Sequence, residues 1–531
     1  MQTIHTPNTE IPRAKTPESV GVDSKEVQAF IDQCIAEDKQ LHSLIVLRHG
    51  QIACEVYRSP YSADYAHAMY SVSKSFTATA IGFAIADGLI ALDTKFADIF
   101  PEVRGVKEDP YFEKLTVEDL LTMRSGLCVS PMMDKTKDRW FQDIIESPRV
   151  SEPGTAFAYI SENQYLLCAI IHKVAGMSVV DYLMPRLFEP LGIERPFWET
   201  CPRGIEAGGW GLSIKTMDLA KVILTYQQDG CFGGRRILPE GWVQQATKFQ
   251  AETAKAKDAL DTKVGYGYCF WRCGGYENAY RADGLFSQFG IVFEDLDACV
   301  IMTGGEIFEQ KMRDVVWEHF PKAFIADAPD AETSPIAIPA YEMLPVHPRS
   351  RIEQKLEGRK IVFNKPLLIN VIGFPTSVVP MTATFMGKDK AGNITNLAFH
   401  ALEDELVMTW TEGKITNAIH IGMDGQYRWG EMTLGQIPFH TCAVGTWLNE
   451  TTLQIMIRPI EAVAARLLTF KFRGNVVTMK PEALPHTLEM AESLSGSVKG
   501  LFKQEIVRKA FSAALPYVVP LIDMVHVGVI K

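Results

Sequence analysis

A serine and a lysine three residues apart, Ser71 and Lys74, stand at the start of a long apolar segment of the chain. Residues three apart share one face of a helix, so the lysine amine can reach the serine hydroxyl if a helix begins near Ser71. The amine could then take the serine's proton, and the free N–H groups at the helix start could stabilise an oxyanion. This Ser-x-x-Lys spacing predicts a serine nucleophile, although alone it also fits a capped helix with a surface lysine.

A serine and lysine pair needs a further group to pass protons to the leaving group. Tyr159 is the best candidate, because it follows a proline–glycine turn in a polar loop and Ser161 offers a hydroxyl two residues later. We expect a lysine beside Tyr159 to lower its pKa towards the phenolate, so that it acts as a general base and then as an acid. Considered alone, Tyr159 is better explained as an ordinary packed aromatic residue. A catalytic role for it is supported only in combination with Ser71 and Lys74.

The segments around these residues predict an α/β unit that would position them. Residues 71–87 are apolar and rich in small side chains, and Gly88 follows, which is typical of a buried helix and its C-terminal stop. A β-hairpin is predicted over residues 41–57, and Thr116 with Asp119 predicts a short capped helix. Strands that would complete the sheet are predicted at 266–271, 290–293 and 298–303. Further helices are predicted at 24–37, 164–174, 179–188, 216–227 and 313–320.

The composition is that of a globular protein with a sizeable core. The chain has 531 residues, of which 47% are hydrophobic and 22% charged, and this length suffices for two or three domains. A net charge of −11 without a basic run argues against nucleic acid as a partner. The ten cysteines are scattered without zinc spacing, so we expect reduced thiols and no metal site. Residues 1–20 are polar and lack the apolar segment of a secretory signal, so a cytoplasmic location is expected.

Changes in composition and in hydrophobic periodicity along the sequence predict the domain organisation. Residues 1–328 hold the α/β and helical patterns, and the prolines of residues 329–350 predict a linker. Over residues 351–485, short alternating segments predict an antiparallel β domain, either a lipocalin-like barrel or a sandwich. Residues 486–531 have helical character, but prolines and an aspartate interrupt their apolar stretch. We therefore expect a docked tail or a contact surface, such as one in a homo-oligomer, rather than a membrane span.

Three common catalytic motifs do not occur in the sequence. The lack of Gly-x-Ser-x-Gly argues against a Ser-His-Asp enzyme on an α/β-hydrolase fold. The lack of His-Glu-x-x-His argues against the common zinc proteases, and the lack of Gly-x-x-x-x-Gly-Lys-Ser/Thr argues against a P-loop. The Ser-Lys pair with Tyr159 remains the best-supported chemistry.

Six sequence blocks follow one another between residues 15 and 325 and carry a family resemblance. They are Tyr70-Ser71-Val72-Ser73-Lys74; Leu120-Leu121-Thr122-Met123-Arg124-Ser125-Gly126-Leu127; Pro153-Gly154-Thr155 with Tyr159-x-Ser161; Pro190-Leu191-Gly192-Ile193; Gly211-Leu212 with Asp218-Leu219-Ala220; and Ala282-x-Gly284-x-x-Ser287-Gln288. With these blocks the chain resembles the class C β-lactamase and penicillin-binding-protein-like serine hydrolases, in particular their esterase and 6-aminohexanoate-dimer hydrolase branch. The resemblance implies an α/β plus all-α β-lactamase-like (transpeptidase-like) fold, to which the C-terminal pattern adds an antiparallel β-barrel-like domain.

The resemblance also implies roles for individual residues. Ser71 would be the nucleophile, and Lys74 and Tyr159 would move its proton. The backbone N–H groups of Ser71 and Leu285 would form the oxyanion hole. No metal or organic cofactor is implied.

The third block departs from the family pattern in a way that bears on the substrate. The family has a cation, then Thr or Ser, then Gly, whereas this chain has Ala282-Asp283-Gly284. The missing cation normally helps to bind a carboxylate, so uncharged esters or small amides fit better than β-lactams or D-alanyl peptides. Arg281 is one residue away, but strand alternation would direct it to the other face. Ser161, which stands where many members have Asn, would border the substrate together with Ala282 and Gly284.

Three functional hypotheses are left open by the sequence. The first is a serine hydrolase that cleaves an ester or a small amide, with β-lactamase or D-aminopeptidase-type activity as an alternative on the same site. The second is an acyltransferase, in which another alcohol or an amine replaces water. The third is a non-catalytic binding protein on the same fold, with the C-terminal domain as its interaction module.

Overall fold

The structure is a computed structural model of the chain. It describes residues 9–106, 110–128, 138–253, 259–364, 396–412, 415–434, 437–484 and 525–531, together with a few isolated positions between 485 and 524. These residues form two compact units, which divide between Pro339 and Ala340. The division falls inside the proline-bearing stretch 329–350.

The first unit combines helices with an antiparallel sheet. Its helices are α1 Ser24–Ala36, α2 Ser73–Ala86, α3 Phe96–Ile99, α4 Tyr111–Lys114, α5 Val117–Leu121, α6 Trp140–Glu146, α7 Glu162–Ala175, α8 Val179–Leu183, α9 Thr216–Gln227, α10 Trp242–Thr247 and α11 Glu309–Ala323. Its strands are β1 Leu41–Arg48, β2 Gln51–Tyr57, β3 His67–Ala68, β4 Phe197–Trp198, β5 Leu212–Ile214, β6 Cys231–Phe232, β7 Arg235–Arg236, β8 Trp271–Arg272, β9 Ala279–Gly284, β10 Gln288–Phe293 and β11 Ala298–Gly304. Short 3₁₀ turns lie at Glu18–Val20, Tyr70–Val72, Pro101–Val103, Glu189–Leu191 and Leu260–Thr262. A π turn at Met184–Phe188 continues α8, so the helix predicted over 179–188 is divided.

The main sheet of this unit has the strand order β2-β1-β11-β10-β9-β8, with antiparallel neighbours throughout. On one face, α1 and α11 share a core with the strands, to which Phe30, Ile291 and Phe320 belong. The other face meets α9 so closely that a Cβ on Gly290 of β10 would lie 2.5 Å from the side chain of Ile223. The sheet is therefore a middle layer with helices on both faces. Smaller sheets are formed by β3, β5 and β4 and by β6 and β7.

Helix α2 is buried along most of its length, which its small side chains allow. All residues from Ser73 to Ala84 are buried. Gly82 lies so near Trp242 that a Cβ there would approach the indole to 2.5 Å. The helix ends as predicted before Gly88, whose φ is +72°. Its start differs from the prediction, because Ser71 lies in the 3₁₀ turn that precedes α2.

The strand predicted over 266–271 is wrong for most of its length. Only Trp271 belongs to a strand, β8, whereas Tyr266 makes isolated bridges. Cys269 explains the interruption, because its φ of +63° is left-handed and does not fit an extended strand. The predicted hairpin of β1 and β2, the strands β10 and β11, and the capping box at the start of α5 are confirmed.

The second unit is a barrel-like sheet, which confirms the predicted C-terminal β domain. A short helix, α12 Ile352–Leu356, precedes the strands. The strands are β12 Lys360–Phe363, β13 Asn396–Ala401, β14 Glu405–Glu412, β15 Ile415–Gly422, β16 Arg428–Leu434, β17 Ile437–Asn449, β18 Thr452–Pro459, β19 Ala465–Arg473, β20 Val476–Leu484 and β21 His526–Ile530. Their order is β15-β14-β13-β12-β21-β20-β19-β18-β17-β16, and a pairing of β15 with β17 closes a ring of nine strands.

The helical tail predicted over 486–531 is wrong for its last residues. His526–Ile530 form β21, which lies between β12 and β20. Its residues are alternately buried and exposed, as in a strand with one face in a core. Most of the predicted tail before residue 525 lies outside the described residues. Within the described part of the chain, no single helix is long and apolar enough to cross a membrane.

Candidate active site

The backbone around Ser71 is fixed by its contacts with β5. The N–H of Met69 donates to the carbonyl oxygen of Leu212 (2.8 Å), and the N–H of Leu212 donates to the Ser73 hydroxyl (3.2 Å). Between these anchors Tyr70 adopts φ +46°, a left-handed conformation that costs a non-glycine residue about 1–3 kcal/mol. Such strain persists only where surrounding contacts hold it, and it clusters at functional sites.

Lys74 is buried in the first turn of α2, with 1% of its surface exposed. Its Nζ lies 2.8 Å from Ser71 Oγ and 2.7 Å from the carbonyl oxygen of Gly209. Both of these partners are uncharged. The structure therefore brings the lysine amine and the serine hydroxyl into direct contact.

A tight loop of residues 208–211 presents the carbonyl group that meets this amine. A Cβ on Gly209 would lie 2.5 Å from the Cβ of Ser161, at the start of α7. On the other side, the carbonyl oxygen of Gly208 accepts a hydrogen bond from Thr77 Oγ1 of α2 (3.0 Å). A side chain at position 209 would force the loop away from α7, and its carbonyl would move with it.

Burial lowers the pKa of Lys74 to about 7. The carboxylates of Glu162 and Asp283 favour the charged amine, but their influence is smaller than that of burial. An ordinary lysine titrates at about pH 10.4, so Lys74 is close to half neutral at pH 7. A neutral amine in contact with a serine hydroxyl is placed to act as a general base.

Tyr159 is the third side chain at this point, and it is 38% exposed, so a substrate can reach it. Nζ of Lys74 lies 4.8 Å from the centroid of its ring, and the ring centroid of Trp271 lies 5.3 Å from that of Tyr159. Desolvation of the hydroxyl raises the pKa of Tyr159 above its usual value, and the nearby side chains of Ser71 and Trp271 offset only part of the rise. The expectation that Lys74 draws Tyr159 towards the phenolate is wrong, because desolvation of the hydroxyl outweighs the influences that lower the pKa of Tyr159.

The end of β9 lies against the turn of the candidate nucleophile. A Cβ on Gly284 would lie 2.4 Å from the carbonyl oxygen of Met69, so the close approach requires glycine. Leu285, the expected second donor of the oxyanion hole, is the next residue. One position later, Phe286 packs edge-on against Tyr70 with ring centroids 5.1 Å apart. Two neighbouring contacts thus hold the end of β9 to this turn.

Gln288 fixes the chain reversal that follows Leu285. Its Nε2 donates to the carbonyl oxygens of Leu285 (3.1 Å), Phe286 (2.9 Å) and Gly304 (2.8 Å). Its Oε1 accepts from the N–H of Gly304 (3.2 Å). These bonds support a reversal in which Phe286 and Ser287 have φ of +62° and +66°. The sequence blocks include Gln288, but its role in holding the reversal emerges only from the structure.

Arg281 is fully buried within a group of four charged side chains, away from the face that carries Ala282. Its Nε lies 2.6 Å from the carboxylate of Asp283, and its Nη1 lies 4.0 Å from that of Asp261. Arg313 of α11 completes the group, 3.2 Å from Asp283 and 3.6 Å from Asp261. Since these carboxylates hold Arg281, it is not available to substitute for the missing cation.

Ala282 and Gly284, which were expected to border the substrate, offer no exposed side chain to a substrate. Ala282 is fully buried, and Gly284 lies against the Met69 carbonyl. A substrate could therefore contact this stretch of β9 only through its backbone.

The residues that the structure brings together are Ser71, Lys74, Tyr159, Ser161 and the end of β9. Two further neighbours, Gly209 and Trp271, were not expected. The glycines at 208–211 indicate a tight loop, but the sequence does not show which carbonyl the loop presents. Trp271 lies in a segment predicted to be a strand, and only the fold brings it to Tyr159.

The chain is similar to several known proteins. A family model described as "Beta-lactamase" matches residues 31–304, just over half of the chain. The 6-aminohexanoate-dimer hydrolase of Paenarthrobacter ureafaciens is 25% identical over 282 residues, which cover 49% of this chain and 70% of that protein. Penicillin-binding protein 4 of Amycolatopsis lactamdurans is 23% identical over 317 residues, which cover 50% of this chain and 81% of that protein. A solved family VIII carboxylesterase is 17% identical, with a TM-score of 0.49 and coverage of 59% of this chain and 99% of its own.

The family match spans the candidate site as a whole. It begins in α1, includes Ser71, Lys74 and Tyr159, and ends at the last residue of β11. The chain therefore belongs to the beta-lactamase family.

Proposed function

We propose that this protein is a serine hydrolase that cleaves an ester or a small amide through an acyl-enzyme. Ser71 supplies the nucleophilic oxygen, Lys74 accepts its proton, and Tyr159 donates a proton to the leaving group. The backbone N–H groups of Ser71 and Leu285 bind the oxyanion. Water then releases the acyl group.

The observation that carries the proposal is the environment of Lys74. Its amine is 2.8 Å from Ser71 Oγ, and burial lowers its pKa to about 7. Most lysines with only a packing role keep the amine in water or pair it with a carboxylate. This amine instead meets a hydroxyl and the carbonyl oxygen of Gly209. A partly neutral amine in that position can take the hydroxyl proton at pH 7.

The proposed cycle moves protons along a short chain of groups. As Ser71 Oγ bonds to the carbonyl carbon, its proton passes to Lys74, and the carbonyl electron pair moves onto the oxyanion. As the C–O or C–N bond breaks, the leaving group takes the proton of Tyr159, and the Lys74 ammonium returns a proton to Tyr159. In deacylation water attacks the acyl carbon, loses a proton to the same groups, and Ser71 leaves with a proton restored.

Uncharged substrates suit the site better than carboxylates. The position at which the family has a cation is Ala282, and Arg281 is occupied by Asp283 and Asp261. A substrate carboxylate would therefore enter the cleft without a counter-ion, which costs free energy. The 6-aminohexanoate-dimer hydrolase among the relatives supports hydrolysis of a small molecule.

The test uses a fluorophosphonate probe and p-nitrophenyl butyrate with the wild type and Ser71→Ala. We expect the wild type to be labelled at Ser71 and to turn over the ester, and Ser71→Ala to do neither. Ser75→Ala is the matched control, because Ser75 is a buried serine of the same region, whose hydroxyl donates to the carbonyl oxygen of Cys269 (2.8 Å). Full turnover by Ser71→Ala would contradict the proposal. Faster turnover of a chromogenic cephalosporin than of esters would contradict the preference for uncharged substrates.

A further inference from the structure

Thr77 lies on the same face of helix α2 as Lys74, three residues further along. Its side chain is fully buried, and its hydroxyl oxygen lies 3.0 Å from the carbonyl oxygen of Gly208 and 3.3 Å from that of Ser73. An O–H donor usually lies about 2.5–3.0 Å from its acceptor, so the single hydroxyl proton goes to Gly208. The thiol of Cys168 on α7, 3.7 Å away, is left to donate to the same hydroxyl oxygen. Thr77 therefore ties α2 to the loop that contains Gly208.

Two consecutive carbonyl groups of this loop are held by two side chains of one helix. Thr77 binds the carbonyl oxygen of Gly208, and Nζ of Lys74 binds that of Gly209 at 2.7 Å. Helix α7 closes on the loop from the other side, since a Cβ on Gly208 would lie 2.6 Å from the carbonyl oxygen of Gln164. Thr77 thus holds the loop against α2 without involving the reactive amine.

The position of the Gly209 carbonyl decides how the Lys74 amine meets Ser71. A neutral amine has two N–H donors and one lone pair. When one N–H is donated to the Gly209 oxygen at 2.7 Å, the lone pair can face the Ser71 hydroxyl, whose oxygen lies 2.8 Å from Nζ. The stem of a lysine is flexible, so an amine without this acceptor can turn an N–H towards Ser71 Oγ instead. It would then donate a hydrogen bond where a base must accept a proton.

We propose that Thr77 is a positioning residue, which holds the Gly209 carbonyl so that the lone pair of Lys74 points at the Ser71 hydroxyl. This inference rests on the proposed function. Thr77 acts through the loop and exchanges no proton with the reacting groups. The part of its side chain that matters is the hydroxyl, and this separates the role from packing, which depends on the size and shape of the side chain.

Loss of the Thr77 hydroxyl should change the base in two ways. The lone pair loses its fixed direction, so kcat/KM should fall at every pH at which the amine is neutral. A carbonyl oxygen also favours the ammonium over the neutral amine, so displacement of the Gly209 carbonyl should lower the pKa of Lys74 below its value of about 7. The midpoint of the pH profile should therefore move downward while the plateau falls. A change in packing alone would lower stability without moving the midpoint.

The test measures kcat/KM for p-nitrophenyl butyrate across the pH profile in the wild type, Thr77→Val and Thr77→Ser. Thr77→Val keeps the shape of the side chain but lacks the hydroxyl. We expect its plateau to fall by about ten-fold, since small misplacements of reacting groups cost up to about 100-fold. Its midpoint should move downward by less than about one unit. Thr77→Ser keeps the hydroxyl and should retain most of the wild-type plateau and the wild-type midpoint.

Thr79→Val is the matched control. Thr79 is also a buried threonine of α2, but its hydroxyl oxygen lies 2.7 Å from the carbonyl oxygen of Ser75 and 2.8 Å from the hydroxyl oxygen of Tyr226. We expect Thr79→Val to keep the wild-type plateau and midpoint. An unchanged plateau and midpoint in Thr77→Val, or equal changes in Thr79→Val, would overturn the inference.

A second pair of variants decides the question if Thr77→Val does not fold, as judged by circular dichroism. Thr77→Ala and Thr77→Ser differ only in the hydroxyl. We expect the serine variant to have a plateau about ten-fold higher than that of the alanine variant. Equal plateaus in these two variants would contradict the inference.

The outcomes also separate this inference from the proposed function. If the wild type neither cleaves the ester nor reacts with a fluorophosphonate, the proposed function is wrong, and the role of Thr77 in it is wrong as well. If the wild type cleaves the ester and the Thr77 variants keep its plateau and midpoint, only the assignment of Thr77 is wrong.

Discussion

Lys74 and Arg281 are both buried cations of the first unit, but their surroundings are opposite. Lys74 is 1% exposed and contacts a serine hydroxyl and a backbone carbonyl. Arg281 is 0% exposed and contacts the carboxylates of Asp283 and Asp261. Burial lowers the pKa of Lys74 to about 7. Burial acts on Arg281 in the same direction, but its carboxylates outweigh burial and raise the pKa of Arg281 above its usual value.

The difference separates a reactive cation from a structural one. A buried cation with counter-ions stays charged and ties together the elements that carry the charges. A buried cation with only neutral partners gives up its proton easily and becomes a base. The two are also connected, because Asp283 belongs to the group around Arg281 and at the same time favours the charged form of Lys74.

Lys74→Met should cause the largest loss of activity among these changes, and it should stabilise the protein. Loss of the base should lower kcat/KM for an ester by roughly 100- to 10,000-fold. The free energy of unfolding should rise by about 1–2 kcal/mol, because burying an amine without a counter-ion costs free energy that a methionine does not. Ester turnover and denaturant unfolding measure the two effects. Lys221→Met is the control for activity, since Lys221 is another buried lysine whose amine meets a carbonyl, that of Leu191 (3.0 Å).

Arg281→Met replaces the cation that is paired with carboxylates. Unlike Lys74→Met, it should destabilise the protein. We expect the free energy of unfolding to fall by about 3–5 kcal/mol, because two carboxylates lose a buried partner. Denaturant unfolding measures the loss in the single variant Arg281→Met and in the double variant that also carries Asp283→Asn. The double variant should recover part of the free energy of unfolding that the single variant loses. If Lys74→Met and Arg281→Met destabilise the protein equally, the two cations do not differ in the way described.

The local patterns of this chain could be predicted from its sequence. The apolar, small-residued run of α2 and the alternating segments of β1, β2 and the barrel-like unit follow from side-chain periodicity. The contact of Ser71 with Lys74 follows from their spacing at the start of a helix. Each of these features depends on residues that are near one another in the chain.

The features that could not be predicted depend on distant parts of the chain. The left-handed φ of Cys269 interrupts a segment whose composition suits a strand. Strand β21 is made by its pairing with β12 and β20, which the composition of the tail does not show. Burial of the Tyr159 hydroxyl decides the direction of the tyrosine's pKa shift, and that burial is a matter of packing.

The pH dependence of ester hydrolysis connects the two cations and gives the smallest of the expected effects. Lys74 acts as a base only when neutral, so kcat/KM should rise about ten-fold per pH unit below its pKa of about 7 and level off above it. Because the pKa of Tyr159 is raised, its titration should cause no fall of kcat/KM at mildly alkaline pH.

In Arg281→Met, assayed at a temperature at which it is folded, Asp283 loses a partner and favours the Lys74 ammonium more strongly. The midpoint should therefore move upward by less than about one unit. A midpoint that stays in place would show that the group around Arg281 stabilises the fold without influencing the base, and the two cations would then be independent.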